Sequence, residues 1–407
     1  MTVSPPTAPP APLTRHKVVA WRNAVFVMFA LPGIAFASWA SRVPAVRDSL
    51  GASTDQMGVI LSGMAVGSVL GLLASGRIVA RFGARRTMVV TLTAASVGVT
   101  IAGIGATAGA FWIVFAGLTL VGAGSGICDV AMNVSGAANE RALGRAIMPI
   151  FHAFFSFGTM VGAALGALAE VLDIPVAVHF GVIAALVTVG VFLAVRPMQA
   201  EQFGGVGEPA GEKPHRGGVR RLDSATLLIG LVVLAAAFSE GSANDWLALA
   251  MVDGHDVSRE NGAIVFGVFL TAMTVARLLG VRALDKWGRV PVLRASFALA
   301  AVGLLAVIFA PTPILAAVGA VAWGFGSALG FPVGMSAAAD DPAKAATRVG
   351  AVATIGYFAF LVGPPSIGFL GEQFGILPAL LVVLVLVTLG GLVASAVREP
   401  KPAPAAE

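Results

Sequence analysis

Charged residues, cysteine and tyrosine are all scarce in this sequence. Only 12% of its 407 residues are charged, whereas soluble domains carry about 25%, so the composition indicates a membrane protein with several spans. A single cysteine, Cys128, excludes an intramolecular disulfide. The five histidines and this cysteine show no spacing typical of metal ligands. We therefore expect an integral membrane protein without a metal or a cofactor.

Long apolar runs fill most of the chain, of which 57% is hydrophobic. A bilayer core about 30 Å thick needs about 20 apolar residues per helix. Segmentation on that length predicts an all-α membrane protein with twelve transmembrane helices, in two six-helix bundles, over residues 19–41, 54–76, 87–107, 110–136, 147–170, 175–195, 224–248, 261–281, 292–311, 313–338, 350–371 and 377–397.

Charge is distributed unevenly along the chain. Almost all of the 26 lysines and arginines fall on one side of the predicted spans, and only Arg42, Arg47 and Arg259 fall clearly on the other. Basic loops stay in the cytoplasm, so this pattern predicts that both termini are cytoplasmic. The net charge of +5 then reflects topology and not nucleic-acid binding.

Composition also divides the chain into parts. We predict a disordered cytoplasmic tail over 1–18, bundles over 19–195 and 223–397, a cytoplasmic linker over 196–222, and a second tail over 398–407. The first tail is rich in Pro and Ala, and the linker combines Gly, Pro and basic residues, as segments without a packed core do.

Span four carries a polar stripe inside an apolar run. Ser125, Asp129 and Asn133 are spaced four residues apart, which puts them on one face of a helix. A carboxylate at membrane depth is costly and normally faces a bundle interior or a wet cavity. We interpret Asp129 as a proton-binding group, and the alternative is a carboxylate that only bonds a neighbouring helix.

An internal repeat relates the two halves. Aligning Gly83 with Gly288 gives an offset of 205, and aligning the segment from Gly122 to Ser125 with that from Gly324 to Ser327 gives 202. Both offsets are about half the chain, so they indicate duplication of a six-helix unit. Repeats of membrane helices around a midplane site are typical of secondary transporters.

Two loops carry the pattern by which the chain resembles the major facilitator superfamily. The resemblance implies that these loops latch the two halves together on the cytoplasmic side in the outward-facing state. Ala80 replaces the usual acidic residue of the first loop. The matching residues are Gly76, Arg81, Gly83 and Arg85, then Asp285, Lys286, Gly288 and Arg289.

Within that superfamily, the chain is similar to the L-fucose–proton symporter branch, and especially to a bacterial inner-membrane group of poorly defined substrate. Residues 38–46, 124–133, 152–158, 239–246 and 363–368 carry this likeness. It implies that Asp129 stands where the branch has a proton-carrying Glu. It also places His152 and Phe155 at positions of polar sugar contacts, so the pocket should be less polar than a fucose site.

Five residues are candidates for substrate binding. His152 can exchange a proton or hold a hydroxyl near neutral pH, although a histidine bonded only to helix backbone fits the sequence equally well. Glu240 and Asn244 share one face of span seven. The full set is Asn133, His152, Glu240, Asn244 and Tyr357.

Other polar residues receive structural interpretations. We expect Glu170 and Asp173 to be solvated and Asp245 to cap or gate span seven. Arg42 snorkels to the surface or points into a vestibule, and Arg277 snorkels or pairs with a carboxylate between the halves. Breaks are expected in span seven near Gly241 and in span eleven at Gly363-Pro364-Pro365.

These features predict a monomeric transporter in the bacterial inner membrane that works by alternating access. Resemblance to the fucose branch favours proton-coupled symport of a sugar, polyol or similar small polar solute. The alternative is proton-antiport export of a drug or metabolite, which a more apolar pocket favours. Its partners are a small solute, protons and the lipid bilayer, and we find neither clustered catalytic groups for an enzyme nor a nucleic-acid site.

Overall fold

The computed structural model describes residues 13–145, 147–199, 223–341 and 344–399. Most of the predicted N-terminal tail, of the linker and of the C-terminal tail lies outside the described residues. The predictions for those segments stay predictions.

Every predicted span corresponds to helical structure, which confirms the all-α fold class. The N-terminal bundle contains α1 (Arg15–Ala40), α2 (Val43–Leu50), α3 (Thr54–Phe82), α4 (Ala84–Thr107), α5 (Phe111–Leu143), α6 (Met148–Val171) and α7 (Val176–Ala194). The C-terminal bundle contains α8 (Ser224–His255), α9 (Arg259–Trp287), α10 (Arg289–Phe309), α11 (Pro313–Ser327), α12 (Gly330–Ala338), α13 (Ala345–Phe374), α14 (Ile376–Ala379) and α15 (Leu381–Leu392).

Among the described residues, eleven helices are long and apolar enough to cross a membrane, α11 and α12 counting as one. The twelfth crossing is the shorter apolar stretch Ile376–Leu392. Because twelve is even, the first and the last described residues lie at one face, which we call the tail face. The other end is the distal face, where α2 connects the first two crossings.

Two expected helix breaks are wrong. α8 is continuous through Gly241, and α13 is continuous through Pro364 and Pro365. Membrane helices tolerate proline where nearby groups satisfy the freed carbonyls, which here belong to Phe360 and Leu361, four residues before each proline. The tenth crossing is interrupted instead, between Ser327 and Gly330.

The duplication is visible in helix lengths and turns. α3 and α9 each have 29 residues, and their bounds differ by the offset of 205. Each is preceded by a serine, and each ends at a glycine with positive φ, +77° at Gly83 and +76° at Gly288. Only glycine adopts this backbone without strain, so the same conformation explains why both predicted turns contain a glycine.

Equivalent glycines also pack the two bundles alike. A Cβ on Gly122 would lie 1.9 Å from the Met64 carbonyl oxygen, and one on Gly324 would lie 2.5 Å from that of Phe269. Met64 and Phe269 are again 205 residues apart. Because lipid offers no hydrophobic drive between helices, close backbone approach at small residues is what stabilises such pairs.

The bundles meet at the distal face. There α3 packs on α13 so closely that a Cβ on Gly58 would lie 2.7 Å from the Pro364 carbonyl oxygen. Hydrogen bonds and ion pairs between the bundles also lie at this face. They join Arg47 with Asp253, Arg259 with Asp48 (3.6 Å) and Glu170 (3.5 Å), and the Thr54 amide with Glu372 (2.9 Å). The interface is therefore closed distally. Asp129 and His152, which lie further toward the tail face, are exposed, so the interface opens toward that face.

Glu170 is not solvated, contrary to the expectation from sequence. Its side chain is 4% exposed and pairs with that of Arg42, also 4% exposed, at 2.9 Å from Nε. Arg42 also donates to the Ile174 carbonyl at 2.8 Å, so it neither snorkels nor points into an open vestibule. Because both side chains are buried, each provides the counter-charge that the other needs. Asp173 is exposed, as expected.

Asp223 links α8 to α13 at the tail face. Its carboxylate accepts from the Thr226 amide at 2.8 Å and pairs with Arg348 at 2.6 Å. Hydrogen bonds from Thr226 and the Arg348 guanidinium hold the pKa of Asp223 well below its usual range.

We expect Asp223→Ala to destabilise the protein by about 1 kcal/mol, as loss of a helix cap does. A lowered pKa stabilises the fold above the unfolded value of about 4, and this contribution is lost as pH falls below it. Thermal melts of the purified protein from pH 7 to pH 3 check this. Asp223→Asn keeps a capping side chain, so it should melt near wild type at pH 7 and show a weaker acid dependence. Identical acid dependence in wild type and Asp223→Asn would contradict this explanation.

A candidate proton and solute site between the bundles

The polar stripe of α5 forms the first part of the site. Asn133 Nδ2 donates to the Asp129 carbonyl at 2.8 Å and lies 3.3 Å from its carboxylate. Asp129 is exposed although it sits well inside a 33-residue helix. It also lies within electrostatic range of Tyr357 on α13, which places it on the side of α5 that faces the C-terminal bundle.

His152 on α6 extends this stripe. Its Nε2 lies 3.2 Å from Asn133 Oδ1, and its ring stands edge-on to Phe29 with centroids 5.1 Å apart. With a proton on Nε2 the histidine donates to the amide oxygen, while the amide donates to Asp129. Three predicted residues, Asp129, Asn133 and His152, thus form one hydrogen-bonded chain, which we call the acid chain.

An ion pair in the C-terminal bundle faces the acid chain. Arg277 Nη2 on α9 donates to both carboxylate oxygens of Glu240 on α8, at 3.0 and 2.9 Å. Arg277 is also within electrostatic range of His152. The commoner expectation, that Arg277 snorkels to the surface, is wrong, because a carboxylate at the same depth holds it. The alternative expectation, that Arg277 pairs with a carboxylate at the interface of the halves, agrees with this contact, in which both partners belong to the C-terminal bundle.

Asn244 and Tyr357 line a chamber between the bundles with a volume of about 220 Å³. Its walls are mostly apolar and include Phe36, Leu61 and Phe360. Asp245 lines the same chamber. It does not cap α8, which continues to His255, because the helix runs further than the apolar window suggested.

The predicted latch residues make local contacts in this structure. Arg289 donates to Asp340 at 2.5 Å and to Ser336 at 3.0 Å, both in its own bundle. Arg81 and Lys286 lie over the rings of the aromatic residues that follow them. Within the described ranges, no hydrogen bond or ion pair of a latch residue crosses to the other bundle, as the distally closed interface requires.

No group of three or more His, Cys, Asp or Glu side chains able to hold a metal occurs among the residues that the structure describes. The candidate site residues carry carboxyl, amide, imidazole, phenol and guanidinium groups.

Comparison with known proteins identifies the architecture. The family model of the Major Facilitator Superfamily matches residues 24–240 and again 229–407. The chain belongs to the major facilitator superfamily. It is 33% identical to the uncharacterized transporter y4wD of Sinorhizobium fredii over 364 residues, which cover 88% of this chain and 93% of that protein. It is 26% identical to the membrane protein MosC of Rhizobium meliloti, with 89% and 86% covered.

Solved major facilitator structures share the fold. The nucleoside transporter NupG superposes with a TM-score of 0.69 at 15% identity, covering 94% of this chain and 98% of that one. A fucose:proton symporter of E. coli gives 0.63 at 14% identity, covering 95% and 100%. At these identities the likeness concerns the fold alone, and the fucose branch is not singled out. Relatives and fold together make the chain a multi-pass membrane transporter and not an enzyme.

Proposed function

We propose that this transporter carries a small polar solute, a sugar or polyol, in symport with protons. The observation that carries the proposal is the acid chain, which lies opposite the Glu240–Arg277 pair where the interface opens toward the tail face. The basic residues at that face support its assignment to the cytoplasm. Bacterial relatives support the inner membrane as its location, and we expect a monomer.

In this mechanism Asp129 takes the proton. When Asp129 is protonated, the transporter can pass through its closed intermediate without the cost of a charge at membrane depth. Asn133 and His152 supply hydrogen bonds for solute hydroxyl groups on one side, and Glu240 does so on the other while Arg277 neutralises it. The latch residues Gly76, Arg81, Gly83, Arg85, Asp285, Lys286, Gly288 and Arg289 would join the bundles only when the distal face opens.

The test is solute-driven proton movement into proteoliposomes that contain a pH dye. Sugars and polyols are added one at a time, and we expect one class to acidify the lumen. Asp129→Asn should reduce uphill uptake to the level of empty liposomes, because the amide cannot carry a proton. Exchange of labelled for unlabelled solute should survive, since it needs no net proton transfer.

Asp173→Asn is the matched control. Asp173 lies in an exposed distal turn with φ of +49°, which asparagine adopts readily, so this variant should transport as wild type. Unchanged uphill uptake by Asp129→Asn would contradict the proposed proton site.

A second candidate function is proton-antiport export, which the apolar walls of the chamber favour. The same vesicles separate the two functions. Symport acidifies the lumen when solute is added outside, whereas antiport makes it alkaline.

A further inference from the structure

Asp245 differs from the other carboxylates placed at membrane depth. Glu240 pairs with Arg277, Glu170 pairs with Arg42, and Asp129 accepts from Asn133. Asp245 makes no hydrogen bond or ion pair with any part of the chain that is described. Its carboxyl group lines the chamber between the bundles.

The same segment of α8 holds further polar atoms without partners. Ser242 Oγ, Asn244 Oδ1 and Trp246 Nε1 are buried and form no hydrogen bond among the described residues. Native proteins satisfy almost all buried polar groups. Of these residues, Asn244 lines the chamber beside Asp245. Two neighbouring side chains with polar atoms that lack protein partners thus border one space, which indicates that the chamber receives a ligand.

The chamber offers Asp245 no compensating charge. Around the chamber, α1 contributes Phe36, α3 contributes apolar side chains and the neutral Ser68, and α13 contributes Tyr357. Tyr357 is the one titratable group among these neighbouring elements that lines the chamber. Removing an unpaired carboxylate from water costs several kcal/mol, and binding a proton removes that cost while the distal face is closed.

We propose that Asp245 is a second proton-binding group, which gains and loses its proton through the distal opening. Asp129 and Asp245 then differ in access. Asp129 is exposed on the tail side of the interface, whereas Asp245 is half-buried in the chamber, which Pro364 of the α3–α13 contact also lines. Opening that contact hydrates Asp245 and lets it exchange protons with the distal solution.

This proposal extends the proposed function by naming the kind of solute that the chamber takes. A protonated Asp245, Asn244 and Tyr357 offer uncharged donors and acceptors at one end of an apolar space. They suit an uncharged solute that has hydroxyl groups and an apolar face. An ionised Asp245 would instead require a cationic ligand.

Carbodiimide labelling tests the proposal without any transport assay. Dicyclohexylcarbodiimide is apolar and reacts with a carboxyl group in its acid form. The acid proton moves to a carbodiimide nitrogen, the carboxyl oxygen adds to the central carbon, and rearrangement gives a stable N-acylurea. The full-length protein in lipid nanodiscs is treated at a series of pH values, and the adduct is located by peptide mass spectrometry.

We expect an adduct on Asp245 that decreases as the pH is raised and that is absent in Asp245→Asn. Asp173, exposed at the distal surface, should stay unmodified. Labelling of Asp245 should persist in Asp129→Asn, so failure of the transport proposal and failure of this one are distinguishable.

Two results would overturn the inference. One is an unmodified Asp245 in wild-type protein in which Asp129 is labelled at the same pH. The other is protection of Asp245 by tetraphenylphosphonium at constant pH, which would make the chamber a site for organic cations. Both results are read on wild-type protein, so neither depends on whether a variant folds.

Discussion

Gly67→Ala is expected to prevent normal assembly of the N-terminal bundle. A Cβ at this position would lie 1.9 Å from the Thr119 carbonyl oxygen and 2.9 Å from the Ala123 amide nitrogen. Both atoms belong to the backbone of α5, so no side-chain rotation relieves the overlap. Alanine alone would favour a helix by about 1 kcal/mol over glycine, and the clash must exceed that. We expect a net loss of about 3 kcal/mol or more, at the upper end of overpacking effects.

The measurement is the amount of monodisperse protein in detergent, together with its melting temperature. Gly181→Ala is the control, because a Cβ on Gly181 in α7 meets no atom within 4 Å. It should melt at or slightly above the wild-type temperature. If Gly67→Ala and Gly181→Ala behaved alike, the α3–α5 contact would not limit stability.

Removing either partner of the Arg42–Glu170 pair is the second change with a large expected effect. Each side chain is almost fully buried, so Glu170→Leu leaves a guanidinium without its counter-charge inside the bundle. Breaking a buried pair in this way costs about 3–5 kcal/mol. Arg42→Leu leaves the carboxylate behind, although Arg259 at 3.5 Å compensates part of its charge.

The double variant separates the pair from its parts. Replacing both partners with leucine removes both charges, and apolar replacements of buried pairs are often neutral. We therefore expect Arg42→Leu/Glu170→Leu to melt above either single variant. Losses that simply add would show that the two residues act independently.

The lengths of the apolar runs predicted the crossings well, because the thickness of the bilayer sets the length of a spanning helix. The predicted helix ends were less accurate, since helices continue past the apolar slab. α3 extends to Phe82 and α9 to Trp287, through Arg81 and Lys286. α2 was missed because eight residues are too few for a search by span length. The repeat offset was exact for α3 and α9, since two turn glycines fixed it.

The site was only partly readable from the sequence. Asp129 and Asn133 are four residues apart on one helix, so their contact follows from helical periodicity. Glu240 and Arg277 belong to different helices. Arg42 and Glu170 are separated in sequence by most of the N-terminal bundle, although their side chains are in contact. Such pairs depend on tertiary packing, and the low cost of snorkelling near helix ends favoured the wrong local interpretation for Arg277.

At the closest point of the α3–α13 contact, glycine and proline backbones touch each other. Charges at the rim also help to hold the distal face shut, and of these Arg47, Asp48, Asp253 and Arg259 are partly exposed. Such pairs are worth about 0–1 kcal/mol each and are screened over about 8 Å at physiological ionic strength. The salt concentration on the distal side should therefore shift the equilibrium between the two conformations of this protein, and a higher concentration favours the distally open form.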